Sequence, residues 1–467
     1  MNDNKHGDWQ ATARLLERYD SPGPRYTSYP TAVEFHEGID AAAYAERLAG
    51  AAAHPDEPLS IYVHLPFCEE RCLFCGCHVI ITPHKDRARP YLELLKKEID
   101  MVAAALGERR SVSQLHLGGG TPTYHEPDEL RELLSHLLGA FRPTADAELA
   151  VEVDPRVTRV EHLDVLAAFG FNRLSMGVQD FTPQVQQAIG RVQSEEATRT
   201  LVEAARARGF RGINIDLIYG LPHQQPESFA RTVEAVIAMQ ADRCAVYSFA
   251  FVPWIRGHQK KLIEDDLPSR ETKFSLFALA REHFLSAGYR AIGMDHFARP
   301  DDELAIAREE GRLRRNFQGY PVIPASDVIG LGISAIGDVG GLHVQNEKKL
   351  SRYQAAIDTG RLPVERGVAR NEDDEIRREV IHDLMCNGRV DFAAVEQRFG
   401  IRFTEYFAQD LDELKEHAET GMVTIGTEAI EATPLGELFI RNLARCFDRY
   451  WREKHADGES PVFSRTV

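Results

Sequence analysis

Four thiols fall within one short stretch, Cys68, Cys72, Cys75 and Cys77, in Pro66-Phe67-Cys68-Glu69-Glu70-Arg71-Cys72-Leu73-Phe74-Cys75-Gly76-Cys77. The chain has seven cysteines in all, an odd total with one dense cluster, which suits a bound metal centre in a reducing compartment better than a disulfide framework. Two metals compete for the loop. Structural zinc usually joins two short Cys hooks across a longer loop, so a single tight loop would enclose one ion under strain. A cubane iron–sulfur cluster takes Cys-x3-Cys-x2-Cys more naturally, each thiolate addressing its own iron. Three ligands leave one iron open for substrate or cofactor. A fourth from Cys77 would make a plain electron carrier, although Cys75-Gly76-Cys77 sets two sulfurs awkwardly close for adjacent corners, and the residues alone leave both states open.

The elements that must position this loop follow a βα alternation. Short β-rich runs at Ser60 to His64, Gln114 to Leu117, Leu149 to Val153, Arg173 to Val178, Ile213 to Ile218 and Ala245 to Phe249 are separated by amphipathic stretches such as Arg89 to Ala104, Pro127 to Leu138 and Pro226 to Met239. That order predicts a parallel sheet of the α/β class, a partial (β/α)6 barrel. Polar and glycine residues cluster just after the strands: Cys68 after the first, Gly118-Gly119-Gly120-Thr121-Pro122-Thr123 after the second, Glu152 at the end of the third, Gln179 after the fourth and Asp216 in the fifth. Strand C-termini of a parallel barrel share one rim, so these scattered residues are expected to meet there.

Taken alone, the glycine turn is explained by a tight bend. Glu152 lies in Val151-Glu152-Val153-Asp154-Pro155, and a carboxylate between apolar strand residues needs a partner, internal or bound. The remaining chain divides into an N-terminal arm with a short helix over 1–57, a catalytic unit over 58–370 and a mainly helical C-terminal domain over 371–467. The arm carries the stiff segment Pro24-Arg25-Tyr26-Thr27-Ser28-Tyr29-Pro30-Thr31. The C-terminal domain is expected to hold helices over Glu375 to Met385, Phe392 to Phe399 and Thr404 to His417, a hairpin near Val423 to Ala432 and a last helix toward Trp451. The tail from Ala456 to Val467 reads as loose.

Lys plus Arg number 55 against 72 Asp plus Glu, a net charge of −17 that argues against a broad basic surface for nucleic acid. The Met1 end is polar, and apolar runs such as Cys244 to Ile255 fall short of the roughly 18 residues a membrane span needs. These features predict a soluble, cytoplasmic protein that engages neither membrane nor nucleic acid.

The Cys-x3-Cys-x-aromatic-Cys loop after a first strand, followed by a Gly-Gly-Gly-Thr-Pro turn after a second, resembles the radical S-adenosylmethionine superfamily. The resemblance implies a [4Fe-4S] cluster on Cys68, Cys72 and Cys75 whose open iron chelates one S-adenosylmethionine, with a second cofactor molecule in some members. It further implies cofactor contacts at Tyr62, Phe74, Cys77, Gly119, Gly120, Thr121, Glu152, Gln179, Arg191, Asp216, Ala250 and Ile336. Pattern alone would make Tyr62, Ala250 and Ile336 core residues and Arg191 a solvated helix-end residue.

More narrowly, Tyr62-Val63-His64-Leu65-Pro66-Phe67-Cys68, the extra Cys77 and the Pro24 to Thr31 arm resemble the oxygen-independent coproporphyrinogen III oxidase family. The related heme chaperones share the cysteine loop but carry Asp-Phe after the third cysteine and lack the arm. The resemblance implies a 5′-deoxyadenosyl radical that attacks two propionate side chains of a porphyrinogen, a flavodoxin- or ferredoxin-like electron donor, and a monomer. A substrate with four carboxylates needs cations, best supplied by the bidentate fork of Arg, and Arg25 in the arm is the expected contact. Arg173, Arg256, Arg290, Arg314 and Arg315 are further candidates between which the sequence does not choose. Tyr26, Tyr29 and Trp254 could cover a macrocycle but suit core packing better, and His64, His78 and His116 are expected to be hydrogen-bonded structural residues.

Overall fold

A computed structural model describes residues 15–321, 323 and 325–456. The tail beyond Ala456 therefore lies outside the described residues. Six strands alternate with helices: β1 (Leu59–Leu65), β2 (Ser111–Gly119), β3 (Arg142–Val153), β4 (Arg173–Gln179), β5 (Gly212–Tyr219) and β6 (Arg243–Ser248). All neighbours among them pair in parallel, so their C-terminal ends share one rim. Crossover helices at Arg89–Leu106, Pro127–Ala140, Val160–Ala168, Glu195–Ala207 and Pro226–Ala238 cover the convex face. Their ends obey ordinary capping chemistry: the Ser194 side chain accepts from the Ala197 N–H, and Pro226 opens its helix where no intrahelical donor is required.

The parallel sheet continues further than the six βα units. Beyond β6 come β7 (Arg290–Ile292) and β8 (His296–Ala298), and beyond β1 come β9 (Val328–Leu331), β10 (Ile336–Val339), β11 (Leu342–Asn346) and β12 (Val364–Ala369). The full order is β12-β11-β10-β9-β1-β2-β3-β4-β5-β6-β8-β7, with β9 parallel to β1 and the outer strands antiparallel. The glycine-rich stretch from Ile329 to Gly341 thus forms two strands and a turn. Gly330 has no room for a side chain, since a Cβ there would lie 2.7 Å from the Ile336 carbonyl carbon on the partner strand.

Two large cores and two small clusters hold the described residues together. The larger core packs the outward face of the barrel strands against the crossover helices and against Tyr44, Leu48 and Ala51 of the helix Ala41–Ala51, while the inward face carries the polar residues. The smaller unites arm residues Leu16, Tyr19, Tyr26 and Tyr29 with Ile376, Val380, Leu384, Phe403, Phe407 and Phe447 of the C-terminal domain. The segment expected as one N-terminal unit is therefore shared: its helix joins the sheet and its arm joins the far end of the chain. Tyr26 and Tyr29 are almost fully buried, each burial contributing on the order of 2 kcal/mol. Polar contacts fix the register of the arm: Arg441 Nε donates to the Pro24 carbonyl (2.9 Å), Asn442 Nδ2 to the Tyr19 carbonyl (2.9 Å), and the Tyr26 hydroxyl to Asp448 (2.9 Å). In the C-terminal domain the expected hairpin is a three-stranded sheet, because Arg389–Asp391 pairs with Ala429–Ala432.

Candidate radical cofactor site

The cysteine loop leaves the rim of β1 and is held at both ends. Phe67 and Cys68 pair in parallel with Ile80 and Ile81, closing the loop into a stirrup. The glycine turn after β2 locks onto its base: Gly120 N–H donates to the Leu65 carbonyl (2.8 Å) and Thr121 N–H to the Phe67 carbonyl (2.9 Å). A Cβ on Gly120 would sit 2.6 Å from the Pro66 carbonyl, so the close approach of the two motifs requires glycine there. The Thr121 hydroxyl shares a 3.4 Å hydrogen bond with Cys68 Sγ. At the outer side, Leu73 N–H donates to the Ile189 carbonyl, His258 Nε2 lies 2.9 Å from the Cys75 carbonyl, and Phe74 packs against the cluster of Val185, Ile189, Leu221, Phe249 and Leu262.

A cavity of about 150 Å³ opens over this loop. Cys68, Cys72, Cys75, Cys77 and Phe74 line one wall; Gly119, Gly120 and Thr121 a second; Glu152, Gln179, Arg191 and Asp216 the rest. The strand register explains the convergence. Glu152 stands beside Ser175, Ser175 beside Asn214, and Gly177 beside Asp216, which carries residues from three βα units to one inner face.

The electrostatics are uneven. Arg191 donates to Asp154 (2.9 Å) and to the Gly177 carbonyl (2.7 Å), and its Nη1 reaches Cys72 Sγ at 3.7 Å. Arg156 binds the same Asp154 and reaches Cys72 Sγ at 3.5 Å. Hydrogen bonding from Cys77, with Arg71 and Arg191 nearby, lowers the Cys75 thiol to about 6, while burial pushes Cys68 up to about 11. Burial opposes ionisation of Glu152, but His116, 3.1 Å away, and the Gly119 N–H, at 3.2 Å, outweigh it and hold its carboxyl below the usual range. Burial raises Asp216 to about 6. Gln179 adopts a left-handed backbone (φ 69°), unusual for a non-glycine residue, and its buried Oε1 has no partner in the protein; Arg191 Nε is unpartnered too.

The donor set fits an iron–sulfur cluster with an amino-acid cofactor. Clustered thiols beside guanidinium groups favour thiolates, the glycine turn leaves backbone room, and the orphaned Gln179 and Arg191 atoms await a polar ligand. Among the described residues, no three His, Cys, Asp or Glu side chains converge on a point where one metal ion would sit. A cluster with several irons spreads its ligands over separate corners, as this loop does.

Not every expected residue reaches the cavity. Tyr62 stands one step behind it, its ring stacked on His116 at 5.9 Å. Ala250 lies past the end of β6, its carbonyl accepting from Gln259 Nε2 (3.1 Å), which also approaches the Phe74 carbonyl. Ile336 lines a different and larger cavity beside the arm. Arg25 donates to the Ser248 carbonyl (3.1 Å) and lines a small separate cleft with Tyr219, Asp295 and Arg441. Tyr26 and Tyr29 are core, Trp254 is 71% exposed, and His64, His78 and His116 are all hydrogen-bonded. Sequence reasoning missed Asp154 and Arg156. Asp154 follows Glu152 by two positions at a strand end, a spacing that puts both on one face, and that signal was available.

The parallel partial barrel, with its loop of four cysteines on the C-terminal rim, is the part of the chain that a family model described as Radical SAM superfamily matches, over residues 62–236. A second, described as HemN C-terminal domain, matches 371–439. The chain is 47% identical to the oxygen-independent coproporphyrinogen III oxidase of Salmonella typhimurium, over 98% of this chain and 99% of that protein. It is 46% identical to the protein of that name from Pseudomonas aeruginosa, over 94% and 95%. The solved structure of coproporphyrinogen III oxidase (HemN) from Escherichia coli, described there as a radical SAM enzyme, superposes with a TM-score of 0.89 at 45% identity, over 94% of this chain and 98% of that one. The chain belongs to the oxygen-independent coproporphyrinogen III oxidase family.

Proposed function

We propose that this protein converts two propionate side chains of coproporphyrinogen III to vinyl groups without oxygen, giving protoporphyrinogen IX in heme biosynthesis. One observation carries the assignment: the cysteine loop, the glycine turn, Glu152, Gln179, Arg191 and Asp216 line a single cavity, in a chain that matches relatives of that name from end to end. A [4Fe-4S] cluster on Cys68, Cys72 and Cys75, with one or two molecules of S-adenosylmethionine, supplies one-electron radical chemistry when bound.

The side chains do the positioning. Glu152, kept ionised by His116 and the Gly119 N–H, offers a carboxylate to a cationic amine. Gln179 Oε1 and Asp216 offer acceptors to hydroxyl or amino donors, and Arg191 a guanidinium to a carboxylate. Phe74, seated in its apolar cluster, gives a face for a base to stack on. Cys77 and the Gly119 to Thr121 backbone complete that wall. Each decarboxylation removes one hydrogen atom from the propionate β-carbon, one CO2 and one further electron, which leaves a carbon–carbon double bond. The chain must hold the carboxylate-bearing arm still and keep water away while this happens. Arg25 is proposed as one propionate contact, and Arg25→Ala should lower kcat/KM by about tenfold, the scale of one charge-assisted hydrogen bond. A flavodoxin- or ferredoxin-like reductant, a monomeric state and a cytoplasmic location accompany the assignment. Among the described residues no helix is long and apolar enough to cross a membrane.

The test is anaerobic iron reconstitution, followed by S-adenosylmethionine, reductant and coproporphyrinogen III, with 5′-deoxyadenosine, CO2 and vinyl product measured together. All three should rise in proportion. Stable heme binding with no porphyrinogen turnover would make the chain a heme chaperone. A cluster whose EPR spectrum ignores S-adenosylmethionine would make it an electron carrier, and stoichiometric zinc would overturn both.

A further inference from the structure

The chain just after β6 puts apolar side chains into solvent beside the cysteine loop. Among the described residues, three of the eight exposed large apolar side chains fall within ten positions there: Trp254, Ile255 and Ile263. Between them stand Arg256, Lys260 and Lys261, and none of these three cations enters an ion pair among the described residues. Apolar side chains held in water and rimmed by charge mark a surface that another molecule covers. In a chain of net charge −17, a free basic group is also a local reversal of sign.

The segment is rigid. Gln259, almost fully buried, accepts from the Val252 N–H (2.7 Å) and donates to the Ala250 carbonyl (3.1 Å), and its own N–H bonds the Arg256 carbonyl (2.9 Å). Leu262 is buried in the same apolar cluster that seats Phe74. Trp254 and Ile255 therefore lie outside a loop whose fold is fixed from within.

The segment also touches the metal-binding loop. His258 Nε2 lies 2.9 Å from the Cys75 carbonyl oxygen, and Gln259 Nε2 3.5 Å from that of Phe74. Burial, helped by Arg71, Arg256 and Lys261, holds the His258 imidazole below its usual value, so Arg71 of the cysteine loop belongs to the same basic group. The acidic turn Glu264–Asp266 follows Ile263, which leaves the stretch from Arg256 to Lys261 as the side that attracts carboxylates. We propose that Trp254, Ile255, Arg256, Lys260, Lys261 and Ile263 form the docking surface for an acidic protein that carries single electrons. Its redox group would face the segment beside Cys75, one hydrogen bond from the cysteine loop. In the transfer the carrier is oxidised by one electron and the metal centre is reduced by one, with no bond broken and no proton moved. Charge attraction speeds such encounters, and a small apolar contact lets the partner leave afterwards. The proposal rests on the radical assignment above, which requires a reducing electron, and adds where that electron enters.

The test uses the full-length iron-reconstituted protein, a reduced bacterial flavodoxin as the acidic probe, and dithionite as a small reductant that needs no docking face. The wild type should bind flavodoxin, and more weakly as salt rises, because exposed charges are screened. Lys260→Glu combined with Lys261→Glu should raise Kd by about tenfold or more, and Trp254→Ala by about threefold. Flavodoxin-driven formation of 5′-deoxyadenosine should fall in step, while the dithionite-driven rate stays at the wild-type level. A zero-length carbodiimide should couple Lys260 or Lys261 to a flavodoxin carboxylate, and iron content and circular dichroism verify folding. No binding by the wild type, variants that bind as the wild type does, or cross-links confined to other lysines would overturn the surface. Equal losses with both reductants would overturn it too, by placing the segment in the substrate or cofactor site. If the wild type cleaves no S-adenosylmethionine with dithionite, the radical assignment itself fails, and the Kd comparison still judges the surface.

Discussion

The cysteine cavity and the arm cavity are built in opposite ways. The first is made of short motifs at the ends of neighbouring strands, tied to one another by backbone hydrogen bonds, as with Gly120 to Leu65 and Thr121 to Phe67. The second is made of residues from Thr27 to Arg398, brought together only by tertiary packing. Local motifs confer a rigid cradle for a conserved type of chemistry, whereas distant packing shapes the space that distinguishes one substrate from another.

Breaking the first region should cost most. Cys72→Ser removes a buried thiol flanked by Arg156 and Arg191, and turnover should drop by more than about 10³-fold, because an incomplete ligand set leaves the metal centre unanchored. Iron per chain and the visible spectrum measure this; full iron content with normal turnover would refute the ligand assignment. Gly120→Ala forces a Cβ onto the Pro66 carbonyl, and unfolding of the metal-free protein should show a loss of about 1–3 kcal/mol, the range for overpacking. If the motifs are independent, iron uptake will be unaffected; if they are one unit, it will fall with stability.

The second region responds to pH. Burial raises Asp448, which accepts from the Tyr26 hydroxyl, to about 6 in the folded state, against an ordinary value of 3.8. A raised carboxyl means the folded form holds the proton more tightly. The stability gained is full below about pH 4 and disappears as pH rises through 6. Relative to Asp448→Asn, which does not titrate, the wild type should therefore lose about 2 kcal/mol between pH 4 and 7, on the scale of 1.36 kcal/mol per pKa unit. Denaturant titrations of both proteins at each pH check this, and parallel curves would show that Asp448 does not couple the arm to the C-terminal domain. The smallest effect is expected at Cys77. It is exposed and meets Cys75 through its backbone N–H (3.4 Å), which serine keeps, and through its side chain, where a serine hydroxyl can donate in place of the thiol, so Cys77→Ser should retain its iron and lose less than about 1 kcal/mol of stability. Loss of iron would make Cys77 a ligand.

What the sequence disclosed follows the same division. The six βα units and most of the cysteine cavity were legible because period, turn chemistry and motif spacing are local properties: Arg173 to Val178 became Arg173–Gln179, and Phe392 to Phe399 was matched residue for residue. The flank beyond β1 was not, since β9 to β12 are short and paired by contacts that only the closed sheet supplies, whereas Arg290–Ile292 at the other edge already read as a strand. Arg25 was legible as a candidate from its stiff surroundings, but its neighbours, the Ser248 carbonyl and a cleft shared with Asp295 and Arg441, are set by tertiary packing and were not. Arg315 stood among five further arginine candidates that the sequence could not separate. Its distinction, buried Nε and Nη1 atoms without a hydrogen-bond partner, is one that no pattern of neighbours along the chain reveals.

The burial of Tyr19, Tyr26 and Tyr29 against Phe439, Phe447 and Asp448 has a consequence for biogenesis. Tyr26 cannot take its final place until Asp448 has been synthesised, a loop closure of 422 positions. The six barrel strands lie wholly within that loop, so all of their residues are made before the arm can dock.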